Sequence, residues 1–329
     1  MATTRRIGEL EVSVAGLGCN NFGIRIDEKA SKAVVDAAID VGVTHFDTAD
    51  LYGGTLSEEF LGRALDSRRD DVVVATKFGM LTPPEGLTGG HPDWVARAVE
   101  ASLRRLGTDR IDLYWLHAPD AKTPIGDTLE ALDRLVTAGK VREIGCSNFS
   151  ATQLDEAAAA AAELGVHRFV TVQNEYSLLQ RKPESEVLPA CSRLDMSLVP
   201  YFPLASGLLT GKYRLGEDPP PGTRLAAWPK ERVDSILVDE KFAAAERLDE
   251  FARSHGHTLH EFALSWLATN PLVSSVIAGA TSPEQVRQNA AATTAWEMTD
   301  TERTGVAALL DRRRPQALRS APVRRRRTR

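Results

Sequence analysis

The sequence predicts an α/β fold, a parallel (β/α)8 TIM barrel, and three observations carry that prediction. Short β-branched runs alternate with longer helical stretches through most of the 329 residues. The alternation recurs about eight times at a spacing of roughly 25 to 45 residues, as a parallel barrel requires. The glycine fingerprint of the competing doubly wound sheet fails, because in Gly16-Leu-Gly18-Cys-Asn-Asn-Phe-Gly23 the third glycine arrives two positions late.

The barrel strands are expected at residues 14–18, 44–48, 72–77, 111–117, 141–145, 169–173, 198–201 and 273–277, each a run of Val, Ile, Thr, Leu or aromatic residues. Helices are expected at 27–41, 93–106, 123–138, 152–164 and 283–292. The last has a clear start, since Ser282 can cap it and Pro283 occupies the first turn, where an N–H has no intrahelical partner. The six-alanine run at 157–162 continues a helical pattern. Residues 211–232, with Pro219-Pro-Pro-Gly and Trp228-Pro, are too long and proline-rich for a turn. Following the seventh barrel strand, they read as a long loop over the barrel mouth.

An apolar content of 43% with 26% charged residues suffices for a large core and excludes a disordered or disulfide-scaffold chain. Residues 312–329 hold nine arginines and no acid, so the net charge of −5 becomes −14 on residues 1–311. An acidic body argues against nucleic acid as a partner. One barrel domain over 1–311 and a disordered Arg-rich tail over 312–329 are expected. Cys19, Cys146 and Cys191 have no metal-ligand spacing and fit a reducing compartment. No apolar run approaches the ~18 residues of a membrane span, which makes a cytoplasmic location the expectation.

Barrel enzymes carry their chemistry at the C-terminal ends of strands. Asp47 and Tyr52 stand there after the second strand, Lys77 after the third, His117 after the fourth, Ser147 and Asn148 after the fifth and Gln173 after the sixth. Each alone could be a cap, a solvated charge or a satisfied core residue; together they converge on one mouth. A tyrosine, with a pKa of about 10 in model peptides, needs its phenolate stabilised before it can give up a proton, and a buried lysine backed by a carboxylate does that. His117 would orient a carbonyl oxygen. The set has no paired nucleophile and no metal triad, so protonation of a carbonyl oxygen during hydride transfer is the chemistry that fits. His255, His257 and His260 have poor spacing for a metal, and none is expected. Beyond strand eight, a capped helix presents free backbone N–H groups to a phosphate. Tyr201 offers a plane for a nicotinamide, and the 207–212 stretch can approach a pyrophosphate.

The segments Asp47-Thr-Ala-Asp-Leu-Tyr52-Gly, Ala75-Thr-Lys77, Leu113-Tyr-Trp-Leu-His117, Ile144-Gly-Cys-Ser-Asn148-Phe and Ile277-Ala-Gly-Ala-Thr-Ser-Pro-Glu-Gln resemble the aldo-keto reductases over about residues 5–310. The resemblance implies an N-terminal β-hairpin at 5–12, bound NADP(H) and reduction of an aldehyde or ketone. It implies Tyr52 as general acid, Lys77 and Asp47 tuning it, and His117 placing the carbonyl. Ser147, Asn148 and Gln173 would hold the carboxamide and Tyr201 the ring; Leu204, Ala205, Ser206 and Gly207 would line the pyrophosphate; Gly279, Thr281, Gln285 and Asn289 would surround the adenosine end. Gly279 and Gln285 stand where many members carry a Lys and an Arg for the 2′-phosphate. Lys212 and Arg224 match the pair that the bacterial-oxidoreductase and channel-β-subunit branch uses instead, which favours NADP(H) with NAD(H) as the alternative. That branch also supplies a competing function, a redox-sensing regulatory subunit with slow turnover; an NAD-dependent sugar or alcohol dehydrogenase is the other alternative. The expected partner is a small carbonyl compound, with neither nucleic acid nor membrane.

Overall fold

Period-two alternation along eight parallel strands builds both the core and the site. The computed structural model describes residues 3–81, 87 and 89–311. The expected tail at 312–329 lies outside the described residues. An antiparallel hairpin, β1 (Thr4–Ile7) and β2 (Leu10–Ser13), precedes the barrel. The barrel strands are β3 (Ala15–Gly18), β4 (His45–Asp47), β5 (Val73–Phe78), β6 (Ile111–Leu116), β7 (Val141–Ser147), β8 (Thr171–Glu175), β9 (Ser197–Tyr201) and β10 (Val276–Gly279). They run in the order β10-β3-β4-β5-β6-β7-β8-β9, every pair parallel.

Closure explains why the eighth strand is shifted from the expected 273–277. Val273 bridges Leu198, and Ser274 N–H donates to Leu198 O at 3.1 Å, before the chain crosses to pair with β3 from Val276 onward. The run is thus divided between two neighbours, and only its second half forms a regular ladder.

The flanking helices are α1 (Glu28–Asp40), α2 (Leu56–Leu65), α3 (Pro92–Leu106), α4 (Ile125–Thr137), α5 (Ala151–Leu164), α6 (Val187–Arg193), α7 (Lys230–Ile236), α8 (Asp239–Ser254), α9 (Leu259–Thr269), α10 (Pro283–Thr293) and α11 (Asp300–Asp311). The α7 helix corrects the reading of 211–232 as loop throughout. Pro229 stands at its N-cap, and the chain turns helical from Lys230. Ser282 caps α10 as expected by accepting from Gln285 N–H at 3.3 Å.

Outward residues such as Phe46, Val74 and Tyr114 pack under the helices. Inward residues Val73, Ala75, Leu113, Trp115, Val199 and Ile277 pack with Ile7, Leu10 and Val12, so the hairpin closes the bottom of the barrel. A Cβ on Gly145 would stand 2.5 Å from the Trp115 ring, so only glycine leaves room for the indole. Above this apolar layer the same inward register continues. Lys77 follows Ala75, and His117 follows Trp115.

Arg5 fastens the hairpin. Its guanidinium donates to Asn270 O at 2.8 Å, to Ala268 O at 2.6 Å and to Val273 O, the carbonyls where the chain leaves α9 for the last strand. Arg5→Ala removes all three donors, and we expect a loss of about 2–4 kcal/mol in urea denaturation; a change under about 0.5 kcal/mol would show that the clasp adds nothing.

Candidate functional site

The third inward layer is polar because it meets the mouth. Lys77 is fully buried, and its ammonium contacts Asp47 Oδ2 and donates to Thr48 O at 2.8 Å. Gln173 Nε2 holds the other carboxylate oxygen of Asp47 at 2.9 Å. Tyr52 leaves β4 on a tight turn whose Gly53 and Gly54 have φ of 62° and 63°, conformations that a side chain would strain. The Lys77 ammonium stands 5.0 Å from the Tyr52 ring centroid. The ring of His117 meets that of Tyr52 edge-on, centroids 6.0 Å apart.

Burial opposes the charge on Lys77, but Asp47 and Tyr52 outweigh it and hold the ammonium above its ordinary pKa. Burial raises the Tyr52 hydroxyl, and the opposing pull of Lys77 does not overcome it. Tyr52 is therefore a proton carrier beside a group that can stabilise its phenolate, not a phenolate at rest. Burial and then Lys77 push His117 down to about 3, which keeps the imidazole neutral.

These groups open into a cavity of about 720 Å³. Of the residues expected at the site, Tyr52, Asp47, His117, Ser147, Asn148, Gln173, Tyr201, Leu204, Ser206, Gly207, Lys212, Arg224, Gly279, Thr281, Gln285 and Asn289 line it. Lys77 lies behind Tyr52, and Ala205 does not line the wall although its neighbours do. Ser147, Asn148 and Gln173, the residues expected to hold a carboxamide, are bonded among themselves and to their neighbours. Asn148 donates to His117 O at 3.0 Å and accepts from Tyr201 OH at 2.7 Å, while Ser147 Oγ donates to Gln173 O at 2.8 Å. Phe202, Ala205 and Ser206 have φ of 51°, 46° and 58°, left-handed conformations at three non-glycine residues, of which Phe202 and Ser206 line the cavity.

The loop after β9 crosses the mouth, as its length suggested. Arg25, which sequence reasoning missed, donates to Gly222 O at 2.7 Å and ties the loop after β3 to it. Arg224 reaches Asn20 and Asn21 at 3.4 Å and lies over the Phe202 ring. A Cβ on Gly279 would stand 3.1 Å from Asn21 Nδ2, 3.2 Å from Asn20 Oδ1 and 3.3 Å from Arg224 Nη2, so a side chain there would crowd all three. Burial lowers Lys212, and Arg25 and Arg224 lower it further. Arg25, Lys212 and Arg224 thus gather at one end of the cavity. Gln288 and His260, the latter weighed only as a metal ligand, also line it; helix positions carry no strand-end signal. His255 and His257 stack on Trp296 instead, and Cys19, Cys146 and Cys191 are buried thiols. Among the described residues no helix is long and apolar enough to cross a membrane, and no cluster of three His, Cys, Asp or Glu could hold a metal.

The Aldo/keto reductase family model matches residues 15–311. A "Probable voltage-gated potassium channel subunit beta" of Oryza sativa is 37% identical over 275 residues, covering 82% of this chain and 83% of the relative. "Aldo-keto reductase yakc [NADP(+)]" of Schizosaccharomyces pombe is 35% identical over 277 residues, covering 80% and 78%. The structure of the glycerol dehydrogenase AKR11B4 from Gluconobacter oxydans superposes with a TM-score of 0.80 at 30% identity, covering 97% of this chain and 98% of that one.

The buried histidines give the site a pH signature. Unfolded histidine titrates near 6.5, whereas burial pushes His45 down to about 4 and His117 to about 3. Between those values the unfolded chain binds more protons, so each residue costs stability as pH falls below about 6.5. We expect the His117 imidazole proton to show no NMR titration from about pH 8 to about pH 5; a midpoint near 6.5 would contradict the neutral assignment.

Proposed function

Because the chain belongs to the aldo/keto reductase family, we propose that it is an oxidoreductase that reduces aldehydes or ketones to alcohols with NADP(H), Tyr52 acting as general acid. The observation that carries this reading is the buried chain Asp47–Lys77–Tyr52 beneath a cavity whose far end is cationic. When bound, the nicotinamide supplies the hydride. The residues of the chain do the rest. His117, neutral, orients the carbonyl oxygen beside the Tyr52 hydroxyl. As the carbonyl carbon gains its new C–H bond, the C=O π pair takes the phenolic proton and leaves an alcohol; Lys77 then stabilises the Tyr52 phenolate until a solvent proton restores it. Asp47, fixed by Gln173, keeps Lys77 charged.

The preference for NADP(H) over NAD(H) rests on Lys212 and Arg224. A side chain at 279 would crowd Arg224 together with Asn20 and Asn21, so glycine at 279 suits an arginine placed there. The NADP(+) named for the fission-yeast relative supports it. The rice relative's name supports a second reading, a nicotinamide-binding regulatory subunit with slow turnover, while the Gluconobacter structure's name keeps an alcohol dehydrogenase in view.

Steady-state turnover separates these readings: purified protein with NADPH and a panel of aldehydes and ketones should consume NADPH, and cofactor binding without reduction of any carbonyl would overturn the enzyme reading. Tyr52→Phe should bind NADPH as wild type does but reduce carbonyls about 10²-fold or more slowly; wild-type turnover in that variant would remove Tyr52 from the chemistry. Arg224→Ala should weaken NADPH more than NADH in a binding titration, and equal weakening would mean that this loop does not read the phosphate.

A further inference from the structure

His260 is the group that the sequence singled out as a metal candidate and that neither metal nor catalysis absorbs. It sits in the first turn of α9, on the cavity wall with Lys212, Gln285, Gln288 and Asn289. Its Nε2 is 2.9 Å from Asn289 Oδ1. An amide oxygen only accepts, so Nε2 carries the proton, and no residue among those described bonds Nδ1. Resting on the reading of this cavity as a nicotinamide dinucleotide site with Asn289 at its adenosine end, we infer that His260 is a specificity-determining residue through which the site distinguishes a phosphorylated from an unphosphorylated adenosine ribose.

The two protonation states of one ring suit the two ligands. With Nε2–H fixed by Asn289, the neutral imidazole offers Nδ1 as an acceptor, which a ribose 2′-hydroxyl can satisfy by donating. The imidazolium offers Nδ1–H and a positive charge, which a 2′-phosphate can satisfy by accepting. Burial holds the ring below its ordinary pKa, Asn289 and Glu261 act in the opposite sense, and Lys212 adds to the lowering. The charged groups acting on the ring are thus Glu261 on its own helix and Lys212 from the loop after β9, with Arg25 and Arg224 acting on Lys212 in turn. In the free protein the ring is neutral near pH 7. A dianionic phosphate placed beside it reverses that balance, so binding of the phosphorylated nucleotide takes up a proton that binding of the unphosphorylated one does not.

The test is a fluorescence-quenching titration of the full chain with NADPH and with NADH, at about pH 6 and about pH 8, for wild type, His260→Gln and His260→Ala. Glutamine keeps a donor for Asn289 but cannot be protonated, and alanine removes both groups. The 2′-phosphate itself titrates in this range equally for all three proteins, so the comparison with the variants cancels its effect. On lowering the pH, the ratio of the NADH Kd to the NADPH Kd should rise in wild type about threefold or more relative to either variant. Calorimetry of NADPH binding in two buffers of different ionisation enthalpy should show proton uptake by wild type in excess of His260→Gln. The same pH response and the same proton uptake in all three proteins would overturn the role of His260 while leaving the cofactor reading intact. If wild type binds neither nucleotide, the cofactor reading itself fails and this inference with it.

Discussion

A lysine ammonium with no exposure to water is the constraint around which the site is built. Lys77 retains its charge only because Asp47 faces it, Thr48 O accepts from it and the Tyr52 hydroxyl lies beside it. A buried ion pair is poor value for stability, since desolvation consumes most of the attraction and a hydrophobic pair of similar volume is often as stable. Its position at the third inward register of β5, directly above the apolar layer of Ala75, Leu113 and Trp115, gives it another use. The pair fixes a positive charge where a phenolate would form.

The rest of the fold keeps that charge in place. The hairpin fills the barrel floor with Ile7, Leu10 and Val12, which excludes water from below, and Arg5 locks the hairpin to the carbonyls where the last strand begins. Gln173, on β8 across the barrel from β4, holds the second oxygen of Asp47. On the opposite wall the loop after β9 folds back, tied by Arg25 and Arg224, and gathers positive charge. One mouth thereby holds two electrostatic regions, the buried Asp47–Lys77 ion pair and a cluster of cationic side chains.

How much of this was legible in the sequence follows from how local each feature is. Strand-end chemistry is local: Asp47, Lys77 and His117 stand within a residue or two of a β-branched run, and the period of two assigns them to the barrel interior. Cap chemistry is equally local, as Ser282 before Pro283 demonstrates. The eighth strand was misplaced by three residues because its start is divided between β9 and β3, a closure effect with no local signature. Arg25 was missed, and His260 was weighed only as a metal ligand, because they enter the cavity from a loop and a helix face, where arginine and histidine are ordinary surface residues. The left-handed backbone at Phe202, Ala205 and Ser206 was equally hidden, since only glycine announces that conformation. The relation between Gly279 and Arg224 joins positions 55 residues apart and needs coordinates.

If the Asp47–Lys77 pair exists for proton transfer, removing both charges together should spare the fold and abolish the chemistry. The measurement is single-turnover carbonyl reduction by the double variant Asp47→Asn, Lys77→Met, alongside its urea denaturation midpoint. The account predicts stability within about 2 kcal/mol of wild type, as replacement of a buried ion pair by neutral groups allows, and a reduction rate lower by about 10²-fold or more. A variant that folds and reduces carbonyls at the wild-type rate would contradict it.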